Sequence, residues 1–182
     1  MAKYIYLPVP SAEMVEMAED MASAISIPKT NIMANKVEKG VGKAMYRWIN
    51  KCLSDMKSTD TVYILLHGNG RADGKQVGAQ RNDTFGDGKT WKTYTPTQLA
   101  STLGKEGLPT SFVDLHLCAC GSGYDGDKLR PWAKRLKDQM STYSNIKVTG
   151  YLGWFSITGT TIRIKDPVNA SFHSLEEKAV TF

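Results

Sequence analysis

At 182 residues the chain is long enough for one domain, residues 1–182, with a full hydrophobic core. Its 41% apolar and 23% charged content is that of a globular protein, and no apolar run approaches the roughly 20 residues of a membrane span. The net charge of +5 mildly favours acidic partners, but the basic residues are scattered on helical faces without interleaved aromatics, so neither nucleic acid nor membrane is expected as a partner.

Met1 to Pro10 has a short apolar stretch broken by prolines, which reads as a first strand (Lys3 to Leu7) rather than a signal peptide; a cytoplasmic setting is expected. Ser11 is placed to cap a helix whose apolar face is Met14, Met17, Ala18, Met21 and Ala22. After a loop with Pro28 and Asn31, the spacing of Val41, Met45, Trp48, Ile49, Cys52, Leu53 and Met56 predicts a second amphipathic helix. Val62 to Leu66 is an apolar run that reads as a buried strand and ends at His67-Gly68. Residues 69–90 are polar and glycine-rich, either a functional loop or a hairpin of weak strands.

Thr95-Pro96 opens a short helix, with threonine as cap and proline at the first position. Phe112 to Leu117 is a second buried-strand run, delivering Cys118-Ala119-Cys120-Gly121-Ser122-Gly123. A helix from Asp127 carries Leu129, Trp132, Ala133, Leu136 and Met140; Ile146 to Tyr151 reads as a strand, and Trp154 to Ile164 as one or two more. The last fifteen residues fit no one pattern. Alternating strands and helices predict an α/β fold with a mostly parallel sheet flanked by helices, and ligands of such sheets bind beyond the carboxyl ends of the strands.

His67 and Cys120 both fall at such ends. A thiolate nucleophile needs a neighbouring acid/base, and an imidazole supplies one. Glycine and serine after the cysteine leave room for close approach of a peptide and free backbone amides for an oxyanion. The competing reading makes Cys118 and Cys120 small buried hydrophobes. Three cysteines give no disulfide framework, and Cys52 is expected in the core. His116, Cys118 and Cys120 alternate and could share a strand face with His67 around zinc, but they lack the turn-borne Cys-x2-Cys pairs of zinc sites; no metal is expected. The Gly-x-Ser-x-Gly frame of a serine nucleophile fails because Cys120 holds its first position.

Tyr63-Ile64-Leu65-Leu66-His67-Gly68 followed by Leu117-Cys118-Ala119-Cys120-Gly121-Ser122-Gly123 resembles the clan CD cysteine peptidases, the group of caspases, metacaspases, legumains and gingipains. The helix ending near Gly107-Leu108-Pro109 and the string Val148-Thr149-Gly150-Tyr151-Leu152-Gly153 resemble bacterial members, so the likeness spans roughly residues 60 to 155. The resemblance implies a caspase-like three-layer sandwich and a cysteine endopeptidase acting through a thioester. Cys120 would be the nucleophile, His67 the general acid/base, and the amides of Gly68 and Cys120 the oxyanion hole.

Substrate contacts would come from the loop after the nucleophile and the strand beyond it, here Ser122, Asp125, Asp127, Tyr151 and Trp154. No cofactor is required, and the partner would be a protein or peptide substrate, with the 69–90 loop a candidate for gating or self-processing. Many members carry an acidic residue two positions before the cysteine to recognise a basic P1 side chain. Cys118 stands there instead, which leaves P1 open and makes Cys118 a rival nucleophile, although the Ala-Cys-x-Ser-Gly match favours Cys120. A non-catalytic binding or adhesion module of the same fold, and a Cys-dependent amidase or acyltransferase, remain alternatives.

Overall fold

Every residue of Thr61–Leu65 is buried, the signature of a strand covered on both faces, and the architecture is built outward from it. The computed structural model describes residues 1–34, 47–48, 51–68, 76–80, 91–125 and 130–182. In chain order it contains β1 (Lys3–Tyr6), α1 (Ala12–Ala24), β2 (Ile32–Ala34), β3 (Arg47–Trp48), β4 (Thr61–Leu65), β5 (Val77–Gln80), β6 (Trp91–Tyr94) and α2 (Pro96–Lys105). Then follow β7 (Asp114–Cys118), α3 (Trp132–Gln139), β8 (Lys147–Tyr151), β9 (Trp154–Thr158), β10 (Thr161–Lys165), β11 (Phe172–His173) and β12 (Ala179–Thr181).

The central sheet runs β12-β8-β7-β4-β1-β2-β3, with six strands parallel and β12 antiparallel on β8. From β1 the chain crosses through α1 to β2 on one side; from β4 it proceeds to β7 and β8 on the other, through α2 and α3. Right-handed crossovers in opposite directions put α1 on one face and α2 with α3 on the other, an arrangement compatible with a three-layer α/β sandwich. The direction changes between β1 and β4, so the crevice of this sheet opens at their carboxyl ends. Among the described residues there are also two smaller sheets, β5-β6 and β11-β10-β9. Among the described residues no helix is long and apolar enough to cross a membrane.

Local signals act where expected. Ser11 accepts the Met14 N–H and starts α1, and Met14, Ala18, Met21 and Ala22 are buried on its inner face. Thr95 and Gln98 form a reciprocal capping box with Pro96 in the first turn of α2. The glycine-rich stretch contributes one strand, β5, to a hairpin with β6.

The expected second amphipathic helix is corrected where it can be followed. Residues 35–46 and 49–50 lie outside the described set, but Arg47–Trp48 pairs with Met33 and Ala34 as β3, and residues 51–55 are turns. Cys52, Leu53 and Met56 are buried as expected, held by a distant tie in which Leu53 N–H donates to the Glu106 carbonyl. Burial and the neighbouring Glu106 carboxylate push the Cys52 thiol up to about 12.

Candidate active site

The ends of β4 and β7 behave differently from the strands that deliver them. Leu66 still donates to the Cys118 carbonyl at 3.2 Å, but His67 leaves that ladder and exchanges both backbone hydrogen bonds with Gly78 of β5, at 2.7 and 2.9 Å. On β7, Cys118 is the last strand residue. The chain then folds into turns, with Ser122 N–H donating to Ala119 O and Tyr124 N–H to Gly121 O.

His67-Gly68 and Cys120 meet backbone to backbone. A Cβ added to Gly68 would overlap the Cys120 carbonyl oxygen and stand 2.9 Å from the Cys120 nitrogen, so only glycine permits this approach. Neither the Gly68 nor the Cys120 backbone N–H donates a hydrogen bond among the described residues. Among the described residues, two backbone amides without a hydrogen-bond acceptor thus belong to segments in backbone contact, one of them that of the half-buried Cys120.

The His67 imidazole is half-exposed and lies edge-on to the Trp91 ring, with centroids 5.6 Å apart. Its Nε2 is 3.2 Å from Glu13 Oε1, close enough for attraction but off the line of a hydrogen bond, so that this nitrogen has no hydrogen-bonded partner among the described residues. Glu13 is there because α1 begins directly after β1, and β1 lies next to β4. An acidic residue in the first turn of α1 also complements the helix dipole. Nothing in the spacing of the sequence links Glu13 or Trp91 to His67. The only hint was an acid at a helix start following a strand.

The two candidate thiols are sharply separated by environment. Cys118 is fully buried, and burial pushes its thiol far above the ordinary range, only partly offset by a hydrogen bond with the Tyr151 side chain. A thiol held protonated in the core is a poor nucleophile, which leaves Cys120 as the accessible one.

Burial removes two side chains from the substrate-facing set expected from sequence. Ser122 is 2% exposed; its hydroxyl donates to Leu117 O at 2.9 Å and accepts the Tyr151 N–H at 3.0 Å. Tyr151 is equally buried, its hydroxyl 2.8 Å from His116 Nδ1 and its ring edge-on to Phe155. The small residues after Cys120 serve packing against β8: Gly123 donates to Tyr151 O, and a Cβ there would stand 3.0 Å from the Gly150 carbonyl carbon. Asp125 and Trp154 are exposed, while Asp127 lies outside the described residues.

His116 is drawn into the sheet rather than toward His67. It stands 3.3 Å from Asp114 Oδ1 through Nε2 and stacks obliquely on Tyr63. Among the described residues no three His, Cys, Asp or Glu side chains converge to hold a metal ion. No family model matches this chain, and comparison with curated proteins finds no significant match.

Proposed function

We propose that the chain is a cysteine endopeptidase of caspase-like type. The observation that carries this reading is the backbone contact of Gly68 with Cys120, whose two amides donate no hydrogen bond among the described residues. In the proposed reaction His67 takes the Cys120 proton and the thiolate attacks the scissile carbonyl carbon. The oxyanion accepts hydrogen bonds from the Gly68 and Cys120 amides. The carbon–nitrogen bond then breaks, His67 returns the proton to the leaving amine, and a thioester remains on Cys120. Water deprotonated by His67 attacks that thioester, releasing the carboxylate product and restoring the thiol.

Glu13 supports the same reading. A carboxylate at Nε2 favours the tautomer that keeps its proton there and leaves Nδ1 as the basic nitrogen. The absence of a hydrogen bond between His67 and the thiol is compatible with a resting site, since catalytic hydrogen bonds commonly tighten only when substrate is bound.

The test is cleavage of a P1-varied fluorogenic peptide library by the wild-type chain beside Cys120→Ala and Cys118→Ala. Activity lost in Cys120→Ala and retained in Cys118→Ala is the expected result, and it identifies P1 as well. No cleavage by the wild type, with no labelling of Cys120 by a peptidyl electrophile, would reject the peptidase in favour of a non-catalytic module.

A further inference from the structure

The hairpin of β5 and β6 brings an aromatic ring to the imidazole. His67 exchanges both backbone hydrogen bonds with Gly78 of β5, and the hairpin register aligns Gly78 with Thr93 and Gln80 with Trp91. A Cβ on Gly78 would overlap the Lys92 carbonyl oxygen, so the two strands close this tightly only because glycine stands there. Trp91 is thus tied to His67 through β5, and the two rings meet edge-on with centroids 5.6 Å apart. The indole is nevertheless largely uncovered. Trp91 is 56% exposed, whereas Tyr94 on the same strand is buried and its hydroxyl donates to Pro8 O at 3.1 Å. Strand alternation turns Lys92 toward Tyr94, over whose ring its ammonium lies at 5.1 Å, and leaves Trp91 and Thr93 on the other face. That face of β6 offers an indole and a hydroxyl and carries no charge.

The order of bond breaking says what would meet this indole. In the proposed reaction His67 hands its proton to the leaving amine, whose nitrogen must then come within about 3 Å of the ring. The Cβ of the residue that carries this amine lies two bonds further on, about 2.5 Å. It therefore approaches the imidazole to about 5.5 Å, the separation at which the Trp91 ring already stands.

We propose that Trp91 contacts substrate and selects an aromatic or large aliphatic side chain on the first residue of the leaving segment. The proposal rests on the peptidase reading, because only proton delivery by His67 says which side of the scissile bond faces the indole. An apolar side chain laid on Trp91 removes surface of both partners from water, and an aromatic one adds the edge-on or offset contact that rings prefer. Lysine is the competing occupant, since an indole face also attracts cations and the Glu13 carboxylate is close by. That carboxylate already faces His67 Nε2 at 3.2 Å, which leaves the uncharged face of β6 to the apolar side chain.

The experiment uses the full chain and internally quenched peptides alike except for Ala, Leu, Phe, Glu or Lys at the first leaving position. Phe is expected to raise kcat/KM over Ala by at least about tenfold. That ratio should fall to about twofold in Trp91→Ala and recover in part in Trp91→Phe, while the Ala peptide is cleaved at nearly the same rate by all three. Equal rates on Phe and Ala, a preference for Lys, or an undiminished Phe preference in folded Trp91→Ala would overturn the proposal. So would an equal loss on all five peptides, which would make Trp91 a positioning residue for the imidazole. A second measurement reads the contact without cleavage: the Cys120→Ala chain is titrated with phenylalanine amide and alanine amide, free amines that mimic the leaving product. Phenylalanine amide should shift the Trp91 indole N–H resonance, assigned by its loss in Trp91→Phe, at an about tenfold lower concentration. That shift without any cleavage by the wild type rejects the peptidase and leaves the aromatic contact. Cleavage with equal response to the two amides and no Phe preference does the reverse.

Discussion

Two histidines on adjacent strands each stand between a carboxylate and a second side chain, and they differ in how completely they are bonded. His116, within β7, has Tyr151 OH at 2.8 Å on Nδ1 and Asp114 Oδ1 at 3.3 Å from Nε2, while Thr61 donates to the other Asp114 oxygen at 2.6 Å. His67, just past β4, has Glu13 at 3.2 Å without a hydrogen bond and the Cys120 backbone beside its neighbour Gly68. In the first cluster hydroxyls of Tyr151 and Thr61 hydrogen-bond to the imidazole and to the carboxylate beside it, an arrangement of the kind that fixes a fold. Among the described residues the second leaves a ring nitrogen, a thiol and two amides without a hydrogen-bond partner, at the point where the sheet changes direction. Unsatisfied groups at a strand end cost stability, and chemistry is the use to which such groups are put.

Substitutions that exchange the roles of these clusters have the largest expected effects. Cys120→Ala should abolish peptide cleavage and also remove the fast phase of iodoacetamide labelling in the native chain. Cys118→Ala should keep both, since its thiol is buried and held protonated. Fast labelling that survives in Cys120→Ala would break the distinction between the two thiols whatever the activity. His67→Ala should lower kcat/KM by at least about 100-fold while changing stability by no more than about 0.5 kcal/mol. His116→Ala should reverse that pattern, costing about 1–3 kcal/mol because the Tyr151 hydroxyl and Asp114 lose their partner, with activity largely preserved. Thermal melts and steady-state kinetics on the same four proteins decide the matter.

A smaller effect sharpens the role of Glu13. Glu13→Gln should reduce kcat by about tenfold, and nitrogen-15 shifts of the His67 ring should show a mixed tautomer in place of a single one. Some stability, about 0.3–1 kcal/mol, should go as well, because the residue sits in the first turn of α1. An unchanged tautomer in Glu13→Gln would reduce the carboxylate to a surface neighbour of the helix dipole.

Local chemistry in the sequence was enough to place much of this. Ser11 and the Thr95-Pro96 pair mark helix starts through bonds made within a few residues, and Thr61–Leu65 and Asp114–Cys118 show as apolar runs. The expectation that His67 and Cys120 share the sheet's carboxyl edge needed only parallel strands and the rule for where such sheets bind ligands. What escaped was decided by distant partners. Trp48 sits at a helical spacing from Ile49, Cys52 and Leu53, yet its backbone pairs with Ala34. Ser122 and Tyr151 looked available to substrate because nothing local says that the turn after Cys120 folds back on β8 and buries both. β-Pairing sets Arg163 and Lys165 beside Trp154 and Phe172, a grouping that net charge alone does not reveal.

The smallest expected effect tests whether the His116 cluster stabilises the fold through charge. The neighbouring His116 imidazole holds the Asp114 carboxyl below its ordinary value, against opposing burial and with help from the Thr61 hydroxyl. A carboxylate depressed in the folded state contributes stability above its unfolded value, about 3.9, and loses that contribution as pH falls through the folded value. Asp114 is partly exposed, so solvent screening limits the effect to about 3 °C in Tm. Asp166 titrates in the same acid range, held down to about 2 by its hydrogen bond from Lys178 and those from the Val168 and Asn169 amides. A wild-type acid melt alone would therefore mix the two. The informative quantity is the Tm of wild type minus that of Asp114→Asn, followed from pH 5 to pH 2. It should be constant near pH 5 and shrink as pH falls below 4, while the same difference for Asp166→Asn reports the turn beyond β10. If the Asp114 difference stays flat, the His116 cluster holds β7 by neutral hydrogen bonds alone, and the contrast with His67 lies in bonding rather than in charge.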